Sequence, residues 1–566
     1  MTVFGVDFGT TNSLAAMVVG ERVQALVDTT TARPHPSVVW YRGGDVIVGR
    51  EARQNMDLTD AGAPPGFVRS PKMKLRREGP IFVDGRVIDP VDAVAEVLKH
   101  LRADAALSRG DVDGQRLDRA IMTIPVDFGG MERRALREAA RKAGIGVVQF
   151  VHEPAAALYA YLRSQDDIQH ELARLEGRSV LVFDWGGGTL DLTLCRISGG
   201  TILQVASLGD NEVGGDRFDE RLRNLLVAKH ATAHGIEDVV ALEQPGMAAK
   251  LLHECERIKI DLSAPGVADE DVIIRNFLKA DGPAQTLRCK VTRAEFEKES
   301  AGIVNRGLAR IEEILARSSL SKQDVALCLA TGGMINMPAI WDGLIERFPG
   351  RVPPLPNGDR IIAEGAAWIA HDDLRLTLSK PIEILVADGS GAGSYYPLVE
   401  AGWTLPLENE VQNVTNTRLF CTDPREGVAL VEVAKPRKLG ITSPYDARTV
   451  LCVAKVKVDP TAAPIVERIE CSLQVDHDYV AKVTLRSSGR KDEQSAEFYD
   501  LEFALALPNA QDWLDRRKKR KATREERSLR PSVIGNLLQR ANVAPLPADY
   551  DTDTLWRSVP GDLVAR

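Results

Sequence analysis

Asp7-Phe-Gly-Thr-Thr11 and Asp184-Trp-Gly-Gly-Gly-Thr189-Leu-Asp191 are two versions of one short loop, set far apart in the chain. Each follows a short apolar run that reads as a strand, Val3 to Val6 and Val180 to Phe183. Each leads into a second such run, Leu14 to Val19 and Leu192 to Ile197. The pattern predicts two β-hairpins, with an acid before each turn and hydroxyls within it. Glycine lets backbone N–H groups approach phosphate oxygens with no Cβ in the way. Threonine hydroxyls add donors. A carboxylate cannot face bare phosphate, so the acids imply an intervening cation. Magnesium suits them, because it keeps its waters and takes few carboxylates. Two such hairpins facing each other would grip the phosphate chain of a nucleotide triphosphate from both sides. The chain has no Gly-Lys-Ser or Gly-Lys-Thr, so neither loop is a Walker A. A strand rather than a helix follows each, so neither is a Rossmann turn.

The 566 residues are too many for one core and predict two to four folding units. A formal net charge of −8 argues against bulk binding of nucleic acid or anionic membranes. No apolar stretch reaches the length of a membrane span, and the chain opens directly into strand-like sequence, with no signal peptide expected. The seven cysteines include no close pair, which argues against zinc and a disulfide framework and for a reducing, cytoplasmic setting. His152-Glu153 and His253-Glu254 lack the second histidine one turn on that a metal site would need.

Up to about residue 370 strands and helices alternate. Leu117 to Ile124 reads as a strand; Met131 to Ala143, Ala155 to Leu162, Arg217 to Lys229 and Met247 to Leu262 read as helices. Such alternation predicts α/β layers. Residues 382–508 instead alternate with period two. Ile469 to Val475, Tyr479 to Leu485 and Tyr499 to Leu505 each place apolar residues on one face, which predicts a β-sandwich. The resulting division is a nucleotide-binding domain over 1–372, a linker at 373–381, an all-β domain over 382–508, and a basic, partly helical and partly disordered tail over 509–566. Six consecutive cations, Arg516 to Lys521, read as a solvated stretch of that tail.

Four further features carry chemistry. Glu153 stands at a strand end just before a helix. Lys72 lies in Ser70-Pro-Lys-Met-Lys74. Glu256, Lys259 and Ser263 stand at i, i+3 and i+7, so one helix face presents all three, suited to a ribose and an adenine edge. Thr331-Gly332-Gly333 follows the apolar run Val325 to Ala330 and suits close passage beneath a flat base. Each alone is ordinary: a helix N-terminal acid, a solvated lysine, a surface ion pair, a turn.

Together, in this order, they resemble the seventy-kilodalton heat-shock chaperone family (DnaK-type) of the actin-like ATPase superfamily. The matching segments are Gly5 to Ser13, Ile124-Pro125 with Arg133, Glu153-Pro-Ala-Ala, and Phe183 to Asp191. Gly214-Gly-Asp-Arg-Phe-Asp219, Val291 to Phe296, and Thr331-Gly-Gly with Pro338 complete the set. The match is strong to about residue 370 and weaker over 382–508, where it rests on Tyr396-Pro-Leu-Val, Leu405-Pro406 and the strand rhythm.

The resemblance implies an actin-like, duplicated ribonuclease H-like ATPase domain of two α/β lobes, followed by a β-sandwich. It implies slow hydrolysis of ATP to ADP with Mg2+. Asp7 and Asp184 would hold hydrated magnesium. Gly9, Thr10, Thr11, Asn12, Gly186, Gly187, Gly188 and Thr189 would surround the phosphates. Lys72 and Glu153 would position the attacking water, with Asp191 nearby. Gly215, Glu256, Lys259, Ser263, Gly332, Gly333, Asn336 and Asp359 would line the adenosine site. Pro125 and Arg133 would relay between nucleotide and substrate domains. Partners implied are an unfolded or specific client protein held by 382–508, a J-domain co-chaperone and a nucleotide-exchange factor.

The sequence also departs from the family. Asn336 stands where members usually carry an arginine against the adenine, a stacking contribution of about 0.5–2 kcal/mol. Gln149 replaces an arginine used with J-domain partners, and His152 replaces an asparagine. The acidic-aliphatic interdomain linker is missing, with Leu374, Leu376 and Leu378 in its stead. Residues 509–566 are too few for the helical lid that clamps peptide. A narrow client range is therefore expected. Two other functions of the superfamily fit the first domain alone: a small-molecule kinase, and an actin-like scaffold or filament protein with residual ATPase. For either, the extra β-domain would be superfluous.

Overall fold

The computed structural model describes residues 2–58, 66–76, 79–107, 116–244, 246–355, 358–387, 393–440, 443, 446–490 and 492–508, together with Val564 and Ala565. The rest of the segment 509–566, expected as a basic tail, lies outside the described residues. The chain forms two compact units. The first comprises residues 1–126, 135–196 and 204–372; the second comprises 127–134, 197–203 and 373–566.

The first unit is built on two sheets with a repeated local plan. In one, the strand Phe4–Phe8 runs parallel to Arg119–Ile124 and antiparallel to Asn12–Val19, with Gly146–His152 and Arg22–Leu26 outside them. In the other, Ser179–Trp185 runs parallel to Val325–Thr331 and antiparallel to Leu190–Ser198. Each central strand thus has a parallel neighbour on one side and a hairpin partner on the other. This is the duplicated α/β arrangement expected of an actin-like ATPase domain. Both predicted hairpins form, and their apolar runs are buried because helices cover the sheets.

Helix Ile361–His371 lies on the first sheet and against helix Glu153–Ser164. The approach is close enough that a Cβ on Gly365 would strike the carbonyl of Ala156. The second half is filled by an aromatic chain packed edge to face. Ring centroids of Phe183 and Trp185 are 5.7 Å apart, those of Trp185 and Phe218 5.9 Å, and those of Phe218 and Phe296 6.4 Å. Helices Gly215–His234, Met247–Ser263 and Arg293–Arg317 close over this core. The last opens with a capping box. Thr292 accepts from the Glu295 amide, and Glu295 accepts in return from the Thr292 amide.

The second unit is mainly β. Its strand order is Arg448–Lys457, Val428–Pro436, Ile382–Ala387, Val564–Ala565, Gln412–Cys421, Arg468–Val475, Ala481–Ser487 and Glu493–Phe498, with Gly393–Val399 also on Ile382–Ala387. Strand Arg448–Lys457, at one end of the order, packs on Ala481–Ser487 and Glu493–Phe498 at the other. The sheet thereby folds back on itself as a sandwich around Val431, Val433, Leu473, Val483 and Leu485.

Two strand expectations are corrected. Tyr479 does not begin a strand: its φ is 58°, in the left-handed region, and its amide donates to the Asp476 carbonyl in a tight turn. The strand starts at Ala481. Tyr499 to Leu505 is likewise no single strand. Pairing with Ala481–Ser487 stops at Phe498, and a new strand, Phe503–Ala506, pairs instead with Leu376–Leu378 and with Thr201 and Ile202. The stretch 373–381 therefore holds a strand, with Leu374, Leu376 and Leu378 all buried. Arg133 sits within this unit; its guanidinium donates to the carbonyls of Phe128 (2.6 Å), Asp478 (2.6 Å) and Tyr479 (3.2 Å).

Candidate functional site

The first hairpin turns between Phe8 and Ser13, so Gly9, Thr10 and Thr11 form its tip and Asn12 opens the return strand. Ser37 holds that tip. Its amide donates to the Thr11 carbonyl at 2.8 Å, its hydroxyl to the Gly9 carbonyl at 3.0 Å, and its own carbonyl accepts from the Ser70 amide at 3.2 Å. Ser70 precedes the single helical turn Pro71–Lys74, and its φ of 50° swings Lys72 inward. The second hairpin turns between Trp185 and Leu190, closed by the Gly186 amide on the Thr189 carbonyl at 2.9 Å. Trp185 anchors it: the indole is fully buried and donates to the Val213 carbonyl at 2.6 Å.

The two tips meet. A Cβ added to Gly187 would lie 3.0 Å from Thr11 Oγ1, and one on Gly188 would lie 3.8 Å from the Thr10 methyl. Glycine at these positions leaves the space between the two tips free of side chains. The acids correspond as well. Asp7 pairs in register with Thr123 of its parallel neighbour, and Asp184 pairs with Thr331 of its own. Thr123 Oγ1 donates to Asp7 Oδ1 at 3.0 Å. Asp191 faces Asp184 across the second hairpin and accepts from Thr189 Oγ1 at 2.7 Å.

Glu153 begins its helix directly after the strand Gly146–His152, and Lys72 Nζ donates to its Oε1 at 2.7 Å. Lys72 is only 3% exposed. Asp7, Glu153, Asp184 and Asp191 thus stand within electrostatic reach of one another, with the Lys72 ammonium on Glu153. Burial, and then repulsion from Glu153, pushes the Asp7 carboxyl up to about 6. Burial, and then repulsion from Glu153, Asp191 and Asp7, pushes Asp184 up to about 8. A cluster of buried, mutually repelling carboxylates is a site that a divalent cation would relieve. Among the described residues no group of three or more acids, histidines or cysteines stands close enough to ligate a metal directly.

Beside the second hairpin, the amides of Gly215 and Asp216, opening helix Gly215–His234, donate to the Gly186 and Gly187 carbonyls at 3.2 and 2.8 Å. Lys259 Nζ donates to Asp219 Oδ2 at 2.8 Å and to the Gly215 carbonyl at 3.2 Å. Burial is the main reason that the Asp219 carboxyl is raised to about 6, with Lys259 opposing the shift. Glu256 pairs with Arg53 of helix Arg50–Leu58, which joins the two halves of the unit across the cleft. Ser263 is turned aside: its hydroxyl donates to the Lys259 carbonyl at 2.7 Å, within its own helix. Gly332 has φ 87°, and a Cβ there would collide with the Trp185 carbonyl and lie 2.6 Å from Asp184 Oδ1. A Cβ on Gly333 would meet nothing within 4 Å. Asn336 donates from Nδ2 to the Gly333 carbonyl at 3.1 Å. Asp359 is exposed and follows Gly358, whose carbonyl accepts from the Gly332 amide. Gln149 and His152 are both buried on or beside the strand that leads to Glu153.

Sequence reasoning missed Ser37, Arg53, Thr123 and Asp219. Thr123 was discoverable, as a hydroxyl closing an apolar run in the manner of Thr331. Arg53 lies 203 residues from Glu256 and carries no local signal. All seven cysteines are free, and among the described residues no helix is long and apolar enough to cross a membrane.

Comparison with known proteins accords with this geometry. The family model described as Hsp70 protein matches residues 3–61 and 73–374, more than half of the chain. The chaperone protein DnaK of Mycoplasmopsis synoviae (strain 53) is 27% identical over 502 residues, covering 87% of this chain and 78% of the relative. The chain belongs to the Hsp70 family, whose members are chaperone-type ATPases.

Proposed function

We propose that the first unit binds MgATP between the two hairpin tips and hydrolyses it slowly, and that the nucleotide state governs the hold of the second unit on a client segment. The observation that carries the first half is the convergence of Asp7, Asp184, Asp191 and Glu153 on one cleft, flanked by two glycine- and threonine-rich tips. In this reading the backbone amides of both tips, with Thr10, Thr11 and Thr189, hold the phosphates. Asp7 and Asp184 hold hydrated magnesium, which offsets phosphate charge. Glu153 orients the attacking water, and Lys72 fixes Glu153 while adding positive charge near the transferring phosphoryl group. Such catalysis is mostly positioning and electrostatics. Gly332 and Gly333 give the base its floor, while Lys259, Glu256 and Arg53 stand at the ribose side.

The client reading draws on the folded-back sheet of the second unit and on family membership. Extended segments add to open strand edges through main-chain hydrogen bonds. J-domain partners and exchange factors are proposed on family membership alone, and the buried Gln149 gives a J-domain partner no exposed cation at that position.

Isothermal calorimetry with MgATP tests the first half: heat of binding is expected, and addition of EDTA abolishes most of it. No heat in excess magnesium would end the proposal. Peptide-array binding with ADP and with ATP tests the second half, and identical patterns in both would remove the coupling.

A further inference from the structure

In the second unit, strands Ile382–Ala387 and Gln412–Cys421 do not pair with each other. Val564–Ala565 lies between them. It pairs antiparallel with the first, Val386 opposite Ala565 and Ala387 opposite Val564. It pairs parallel with the second, Phe420 opposite Val564 and Cys421 opposite Ala565. The neighbours on either side leave this slot. Pairing of Ile382–Ala387 with Val428–Pro436 covers only Glu383 and Ile384. Cys421 spends its amide on the Glu467 carbonyl and its carbonyl on the Ile465 amide. Alternation along the strand therefore turns the backbone groups of Phe420 the other way, toward the slot.

A slot flanked by two strand edges satisfies one extended segment from both sides, and it leaves open backbone groups when empty. We propose that the chain's own strand Val564–Ala565 occupies this slot as an internal competitor of any extended client segment. The segment has suitable chemistry: Leu563-Val564-Ala565 is a short aliphatic run between Asp562 and Arg566. A client must then displace a tethered strand, which favours segments that pair more strongly than this one. The inference rests on reading the second unit as a binder of extended segments.

The test uses the full chain. Val564→Pro and Ala565→Pro together remove both ladder amides of the internal strand without touching the slot. Binding is read by fluorescence anisotropy with two labelled peptides, a synthetic copy of residues 558–566 and an unrelated extended aliphatic peptide. A tethered competitor acts at an effective concentration on the order of millimolar, so the double variant should bind both peptides at least about tenfold more tightly than the parent. In parallel, amide exchange at Phe420 and Ala387 should be slow in the parent and faster in the variant. Equal affinities in parent and variant, or unchanged exchange, overturn the self-occupancy while leaving the client reading intact. Failure of every peptide to bind either protein overturns both.

Discussion

Replacing Lys72 with methionine keeps most of the apolar stem and removes the ammonium that stands 2.7 Å from Glu153. Lys72 is buried and the Glu153 side chain is 16% exposed, so water replaces little of the lost contact. Breaking a buried pair by removing one partner costs about 3–5 kcal/mol. The residual exposure of Glu153 puts the expected loss near the lower end, about 3 kcal/mol in urea denaturation. Turnover should fall further than stability alone explains, by roughly a hundredfold or more, the usual consequence of deleting a preorganised electrostatic group. Binding of MgATP should largely survive, because the phosphate-facing amides belong to the hairpin tips. The double variant Lys72→Met with Glu153→Gln separates the two roles. Neutralising Glu153 should restore most of the stability and none of the turnover. Single-turnover hydrolysis and denaturant midpoints on the same preparations measure both. Parental turnover in Lys72→Met, or recovery of turnover in the double variant, would refute the assignment of Lys72 to the reaction.

Three other outcomes are expected. Asn336→Arg should tighten ATP binding by about 0.5–2 kcal/mol through stacking on the base, seen in calorimetry as a lower Kd. Gly332→Ala forces an L side chain into φ 87° and into the Trp185 carbonyl, so thermal unfolding should drop by at least about 1–3 kcal/mol and nucleotide affinity should fall with it. The Asp219 carboxyl, raised from 3.8 to about 6 mainly by burial among Lys259, Glu256 and Asp216, binds its proton more tightly folded than unfolded. Its contribution is therefore favourable at low pH and diminishes as pH rises between about 4 and 6. Asp219→Asn should flatten that part of the stability–pH curve even though it leaves Lys259 short of a partner, and an unchanged slope would discount the shift.

The hairpins were legible because their signal is local: an apolar run, an acid, glycines and hydroxyls, then a second apolar run. So was the helix expected over Ala155 to Leu162, which the structure begins two residues earlier, at Glu153. What stayed hidden is non-local or depends on single dihedral angles. Nothing near Arg53 announces Glu256, and nothing near Ser37 announces that it fastens the first tip. Alternation also misleads at its ends. Tyr479 and Tyr499 keep the period-two pattern, yet a turn stabilised by Asp476 and a change of pairing partner break both runs. The same alternation in Leu374, Leu376 and Leu378 belongs to a strand rather than to an extended connection, because Phe503–Ala506 supplies a pairing edge that lies over a hundred residues downstream.

Repetition of the Asp–Thr register, Asp7 with Thr123 and Asp184 with Thr331, has a consequence for how such a cleft is assembled. Each half of the first unit supplies one jaw: a turn, a carboxylate and a supporting hydroxyl. A polypeptide carrying one jaw alone would meet a triphosphate from one side only, with half the donors and no opposing wall to exclude water. On the proposed MgATP reading, affinity would depend on both halves together, so damage to either turn is expected to weaken binding at its intact twin.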